Sequence, residues 1–493
     1  MNIKNSLTIL PVVLTSVTIH AGIPVKPNVI IVLTDDLGYG TLSCYTNKDF
    51  STPNIDKFSK SGTIFTQAYC AASVSTPSRY GLLTGRYPWR TFLKNNVISD
   101  TPSLIEPDRF TLPKLFQSQG YATACIGKWH LGFNAGSRES EINYNEPTTI
   151  GPNELGFDYF FGLPVGHFYP PLVYMENHNV VGLDKNDPIS VNKTKVKANK
   201  PVTEGGKSAL FNPETVEETL FAKSGEFIRQ QAKDKKSFFL YLGTTIPHDP
   251  YIVNKAYKNS GPKGAYGDVI RELDDRFGKL IALLDELKLR DNTIVIFTSD
   301  NGGVPPDTPY LIKEGIHFDP NTPLRGNKGT GWEGGLRIPF IISYPKVVKA
   351  GVKNNTPICN TDLMASFASL FNYNLPDDAG EDSFNALPTL LYNQKLPQHP
   401  FVLQSRGGVL NLHYGDWKFI PVSGNGDNRT KETIKSDTDQ PIQLYKISKD
   451  ICEKENIHIS NASKVKEMEG LIDEIKNSSS RKVWEKMGIK QTK

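Results

Sequence analysis

Four stretches of this chain share one construction, a continuous apolar run that ends in residues able to do chemistry. Asn28-Val29-Ile30-Ile31-Val32-Leu33-Thr34 ends in Asp35-Asp36. Ala122-Thr123-Ala124-Cys125-Ile126 runs into Gly127-Lys128-Trp129-His130. Phe238-Phe239-Leu240-Tyr241-Leu242 leads to Pro247-His248, and Thr293-Ile294-Val295-Ile296-Phe297-Thr298 to Asp300-Asn301-Gly302-Gly303. Unbroken apolar runs of this length suit strands buried on both faces, as in a parallel sheet. Ligand sites in open α/β sheets lie beyond the carboxyl ends of the strands. The four polar tails therefore predict one site assembled from segments far apart in sequence. Val269, Ile270, Leu273, Phe277, Leu280, Ile281, Leu284 and Leu287 fall at helical spacing just before the last run. Strands alternating with helices predict an α/β fold, a large and mostly parallel sheet sandwiched by helices.

The chain has 493 residues, more than one typical domain. A composition shift near Leu396-Pro397 marks a second unit. Beyond it, Phe401–Gln404, Val409–His413, Trp417–Ile420 and Ile442–Tyr445 read as short strands between turns, and a helix is expected from about Ala462 to Ile475. The predicted organisation is a catalytic domain over 22–395 and a smaller antiparallel-sheet subdomain with a helix over 396–493. The stretch from about Phe133 to Leu210 is rich in Asn, Pro, Gly and Lys with weak periodicity, and reads as decoration around the site mouth.

Residues 1–21 have targeting character: Lys4, a largely apolar Leu7–Ile19, then small Ala21-Gly22. This reads as a secretory signal peptide, and predicts a periplasmic or secreted protein. Pro11, Thr15, Ser16 and Thr18 interrupt it too often for a membrane span. A net charge of +4, with no Lys/Arg block interleaved with aromatics, gives no footprint for nucleic acid. The five cysteines, Cys44, Cys70, Cys125, Cys359 and Cys452, show neither metal-site spacing nor a disulfide framework, although one pair could bridge. Most read as small buried apolar residues.

Two acidic pairs end two separate buried runs: Asp35-Asp36 and Asp300-Asn301. One such pair alone is ordinarily a turn or helix cap. Two of them, with an oxygen from residue 75, offer the hard donors that Ca²⁺ or Mg²⁺ takes. Ser75 opens Ser75-Thr76-Pro77-Ser78-Arg79-Tyr80-Gly81-Leu82-Leu83-Thr84-Gly85-Arg86. An unactivated serine hydroxyl is a weak nucleophile and needs a base, a metal or a chemical change. Together these residues suggest a hydrolase for an anionic ester with a metal-held nucleophile.

The run Ser-x-Pro-Ser-Arg followed by Leu-x-Thr-Gly-Arg resembles the signature of the type I sulfatases, the formylglycine-dependent branch of the alkaline phosphatase superfamily. Gly127-Lys128-Trp129-His130-Leu131-Gly132, Pro247-His248-Asp249-Pro250 and Leu324-Arg325-Gly326-Asn327-Lys328-Gly329-Thr330-Gly331-Trp332-Glu333-Gly334-Gly335 resemble further segments of that family. The resemblance covers nearly the whole chain after the leader. It implies an alkaline phosphatase-like fold, and conversion of Ser75 to Cα-formylglycine by a serine-type maturation enzyme. It also implies one divalent cation, usually calcium with magnesium the alternative, held by Asp35, Asp36, Asp300, Asn301 and residue 75. Arg79 stays in the site. Lys128, Lys328 and His248 would bind the sulfate. His248 would protonate the leaving alcohol, and His130 would take the proton that lets sulfate depart. The implied substrates are O-sulfated carbohydrates of host or dietary glycans. A phosphomonoester or phosphodiester hydrolase of the same superfamily, and a catalytically dead binder of sulfated glycan, are the alternatives. His167 and Asp249 stay open between packing and substrate contact.

Overall fold

The structure, a computed structural model, describes residues 26–46, 49–94, 101–136, 141–197, 200–304, 318–427, 442–478 and 481. The expected signal peptide lies outside the described residues. Asn28–Thr34 is buried along its whole length and forms β1. The main sheet continues with β2 (Thr63–Tyr69), β3 (Ala122–Lys128), β4 (Tyr159–Leu163), β5 (Met175–Glu176) and β6 (Asn179–Val180). Strands β7 (Ser190–Lys197) and β8 (Lys200–Glu204) make a separate hairpin. The chain then returns to the main sheet with β9 (Phe238–Gly243), β10 (Thr293–Ser299), β11 (Arg337–Ser343), β12 (Val352–Asn354) and β13 (Ile358–Cys359).

The order is β12-β2-β11-β10-β1-β9-β3-β4-β5-β6, with β13 also on β2. The middle of the sheet, β10-β1-β9-β3-β4, is all parallel. Only β11 and β5 run against the strands beside them in the body of the sheet. Alternate residues of β1 feed two cores. Val29, Ile31 and Leu33 face a cluster that includes Tyr80, Leu115, Phe116 and Phe367, from helices Ser75–Thr84, Leu112–Ser118 and Leu363–Leu370. Ile30 and Val32 face a second cluster with Leu220, Ile228, Val269 and Phe277, from Val216–Asp234 and Gly264–Glu286. Such two-sided burial removes any hydrophobic alternation along the strand, and for this reason the runs are continuous.

A four-stranded antiparallel sheet, β14 (Phe401–Gln404), β15 (Leu410–Tyr414), β16 (Trp417–Ile420) and β17 (Gln443–Lys446), follows in the C-terminal part, with a helix over Ala462–Lys476. It joins the first cluster through Phe401, Leu403, Leu412, Leu444 and Met468. Its first strand also bonds directly to the large sheet's side. Ser73 N–H donates to Gln404 O at 2.9 Å, and Gln404 N–H to Ala71 O at 3.0 Å.

Part of the stretch expected as decoration is sheet. Strand β4 extends the parallel core, and β5 and β6 form its edge. Its signal is weak because β4 has only five residues, one of them Gly162. Strand β11 carries Pro339 at a register shift, a composition that masks a strand. All five cysteines are free thiols, with Cys70, Cys125 and Cys359 buried. No helix among the described residues is long and apolar enough to cross a membrane.

Candidate active site

The four polar tails meet at the carboxyl ends of β1, β3, β9 and β10. Ser75 is fully buried at the first position of the Ser75–Thr84 helix. Its Oγ lies 3.3 Å from Asp35 Oδ1 and 3.3 Å from Asn301 Oδ1. Two residues separated by most of the domain thus face one hydroxyl. The parallel register Leu33↔Thr298 and Thr34↔Ser299 brings the two acidic pairs side by side.

The doublets are interlocked. Asp36 has a left-handed backbone, φ 65°, and its N–H donates to Asp300 Oδ1 at 3.1 Å. Asn301 Nδ2 donates to Asp36 Oδ1 at 2.8 Å. Arg79 is fully buried beneath the site and gives Asp300 Oδ2 two bonds, 3.2 Å from Nε and 2.9 Å from an outer nitrogen. It also donates to Lys128 O at 3.2 Å and Tyr241 Oη at 3.4 Å, and lies 3.6 Å from Asp35. Burial pulls the Arg79 pKa down, but Asp300, Tyr241 and Asp35 outweigh it, and the net shift is upward. Arg79 is a permanent cation that holds the carboxylates in place.

Two ammonium groups face the same acids. Lys128 Nζ lies 2.8 and 2.7 Å from the two oxygens of Asp35. Lys328 Nζ lies 2.6 Å from Asp36 Oδ2 and 3.0 Å from His248 Nε2. Burial lowers the Lys128 pKa despite Asp35. The His248 pKa is pushed well below the usual histidine range by burial and then by Lys328 and Lys128. His248 Nδ1 faces the Asp249 carbonyl oxygen, and Phe168 stacks on its ring at 4.9 Å between centroids. These partners assign the ring as neutral, with Nδ1–H donating and Nε2 accepting from Lys328.

His130 is buried two residues past Lys128, with φ 60° and its N–H on Pro164 O at 3.0 Å. The structure therefore brings Asp35, Asp36, Ser75, Arg79, Lys128, His248, Asp300, Asn301 and Lys328 into one contact network, with His130 on the same exit loop as Lys128. His167 is buried and its Nε2 lies 3.0 Å from Pro250 O.

Lys328 reaches the site because its loop packs backbone against backbone. Lys328 N–H donates to Gly303 O at 2.7 Å, and Gly302 N–H to Gly335 O at 3.1 Å. A Cβ at Gly302 would stand 1.8 Å from Gly334 O, so only glycine allows this approach. Tyr241 was read only as a strand residue. A tyrosine in the middle of a fully buried strand needs a partner for its hydroxyl, and that was the available signal.

Ligand atoms of Asp35, Asp36 and His248 lie within 4.8 Å of one another and could hold a metal ion. The donor set fits a hard divalent cation, since carboxylate oxygens dominate it. A buried arginine and two lysines gathered around carboxylates and one serine hydroxyl suit an anionic ester. The Sulfatase family profile matches residues 27–373, and the chain belongs to that family. It is a sulfuric ester hydrolase of the type I sulfatase branch of the alkaline phosphatase superfamily.

An N-acetylgalactosamine-6-O-sulfatase of Bacteroides thetaiotaomicron is 35% identical over 483 residues, covering 92% of this chain and 93% of its own. The steryl-sulfatase of Homo sapiens is 30% identical over 467 residues, covering 81% and 78%. A solved 6S-sulfatase structure from work on glycosaminoglycan metabolism by Bacteroides thetaiotaomicron superposes with a TM-score of 0.85 at 34% identity, covering 92% of this chain and 100% of that one.

Proposed function

We propose that this sulfatase removes sulfate from O-sulfated hexoses of glycans, with 6-O-sulfated galactose or N-acetylgalactosamine the first substrates to test. One observation carries the chemistry: Ser75 Oγ faces Asp35 and Asn301, inside a ring of Arg79, Lys128, Lys328 and His248. The name and near full-length match of the Bacteroides relative support the sugar.

The nucleophile is Ser75 after oxidation to formylglycine, present as its hydrate and made by a serine-type maturation enzyme. One hydroxyl of the hydrate gives its proton to the facing Asp35 carboxylate and attacks sulfur, and the bond from sulfur to the sugar oxygen breaks. Lys128 and Lys328 neutralise the sulfonyl oxygens, and Arg79 fixes the acids around the nucleophile. His248, whose Nε2 accepts from Lys328, passes a proton of the Lys328 ammonium to the departing sugar oxygen. His130 accepts the proton of the second hydroxyl, the carbon–oxygen bond to sulfate breaks, and the aldehyde returns. Water then rehydrates it. Asp35, Asp36, Asp300, Asn301 and residue 75 would hold a divalent cation, calcium in the first instance, which would supply positive charge beside the nucleophile. Residues 1–21 export the chain to the periplasm or beyond.

Mass analysis of the tryptic peptide holding Ser75, from a host with serine-type maturation, tests the nucleophile. A peptide lighter than the serine form by two hydrogens is expected, and an unmodified peptide in fully active enzyme would overturn the reading. A panel of defined sulfated mono- and disaccharides tests the sugar. Release of sulfate from glucosamine 6-sulfate, with none from the galacto sugars, would reject the substrate assignment.

A further inference from the structure

Glu217 is a buried acid that the reaction above does not use. It lies in the first turn of the Val216–Asp234 helix and is 4% exposed. Its Oε1 accepts two bonds from one residue: Thr245 N–H at 2.7 Å and Thr245 Oγ1–H at 2.6 Å. Its Oε2 is buried and has no hydrogen-bond partner among the described residues. A buried oxygen without a partner is costly, so the fold keeps this side chain against a gain elsewhere.

That gain is at the exit of β9. Thr245 precedes Ile246, Pro247 and His248 on one short loop. The other side of the loop is tied to the end of β1. Thr244 N–H donates to Leu33 O at 3.0 Å, and Asp35 N–H donates to Ile246 O at 3.3 Å. The segment is thus stretched between the Glu217 carboxylate and the backbone of Asp35. A shift at Thr245 moves His248 on one side and the Asp35 amide on the other. Glu272 and Arg276 are the charged groups that act on Glu217 from the neighbouring Gly264–Glu286 helix.

We propose that Glu217 is a positioning residue for desulfation: by gripping Thr245 it holds the loop that sets His248 against Lys328 and Asp36. This rests on the reading of His248 as the group that serves the leaving oxygen. Burial pushes the Glu217 carboxyl up to about 7 against the two Thr245 bonds, so its Oε1 can accept those bonds with or without a proton.

The test compares Glu217→Leu, Glu217→Gln, Thr245→Val and the double variant Glu217→Gln/Thr245→Val by steady-state kinetics on matured, metal-loaded enzyme. His248→Ala is the control. Misplacement of a catalytic group by about 1 Å costs roughly 100-fold. Glu217→Leu is therefore expected to lower kcat by about 30- to 100-fold with KM changed less than about 3-fold. Glu217→Gln keeps the carbonyl acceptor and is expected to stay within about 3-fold of the parent. Thr245→Val, which keeps the N–H bond, is expected to fall in between.

A lower melting temperature with unchanged kcat for Glu217→Leu would overturn the proposal, because a purely structural role predicts that outcome. Should Glu217→Leu fail to fold, a Thr245→Val enzyme with parental kcat would overturn it instead. Parental kcat in His248→Ala would reject the reading of His248 itself, whatever the Glu217 variants do.

Discussion

Replacing Lys418 by methionine tests how the loop carrying Lys328 is anchored. Lys418 on β16 is fully buried between two fully buried carboxylates. Its Nζ lies 3.0 Å from Glu333 Oε1 and 2.7 Å from Glu453 Oε1. Glu333 belongs to the same turn as Lys328 and keeps Arg337 at 3.2 Å and the Tyr69 hydroxyl at 3.0 Å. Glu453 has only Lys418 as an ion-pair partner among the described residues, with the Glu333 N–H at 2.6 Å on its other oxygen. Breaking a buried pair from one side costs about 3–5 kcal/mol. Lys418→Met should lose that amount at pH 8. Burial already raises the Glu453 pKa against the pull of Lys418, and the variant raises it further. A carboxyl with a raised folded pKa is fully stabilising below its unfolded value and loses that contribution as pH rises through the folded one. The deficit should therefore shrink as pH falls from 8 through the interval between the variant's Glu453 pKa and the parent's own raised one, by up to about 1.4 kcal/mol per unit, and the Glu453 contribution should level off below it. His413, which burial and then Lys418 hold neutral down to about 3, protonates more readily once Lys418 is gone, so it destabilises the variant less than the parent in acid and adds to the shrinkage. Urea unfolding of both proteins at pH 5, 6.5 and 8 measures this. A deficit under about 1 kcal/mol, or one that does not change with pH, would refute the argument.

Arg79→Lys should cut kcat/KM by about 100-fold or more, because one ammonium cannot replace the paired bonds to Asp300 and the contacts to Lys128 and Tyr241; steady-state kinetics checks it. Gly302→Ala should depress both activity and melting temperature, since its methyl would meet Gly334 O at 1.8 Å; near-parental values in both would show that the loop yields. Chelation by EGTA should abolish turnover and lower the melting temperature, with calcium restoring both, whereas loss with EDTA alone would assign magnesium. Gly470→Ala on the exposed face of the C-terminal helix meets nothing within 4 Å and should stabilise by about 0.5–1 kcal/mol in the same unfolding assay.

The parts of the site legible in sequence were those with a double signature. Asp35-Asp36 and Asp300-Asn301 follow apolar runs that suit buried strands, and the topology then puts strand ends together. Lys128 and Lys328 stood out through their glycine-rich settings, and His248 through the resemblance of Pro247-His248-Asp249-Pro250 to a family segment. The convergence of these residues on Ser75 is a matter of register, which single segments do not carry. Glu217 was invisible for a different reason. It looks like one of two acids at a helix start, and only the returning β9 loop shows what it holds. Strand β4 was hidden by its shortness, and Tyr241 by its apolar neighbours. Aromatic contacts such as Phe168 on His248 arise between loops and leave no local trace.

The bonds between Gln404 and the Ala71–Ser73 segment have a consequence for timing. They bolt the stretch just ahead of Ser75 to a strand made near the end of synthesis, and Ser75 itself is buried in the finished fold. Any enzyme that must chemically alter that side chain has its chance on the nascent or unfolded polypeptide, and a finished molecule that missed it stays unaltered until it opens again.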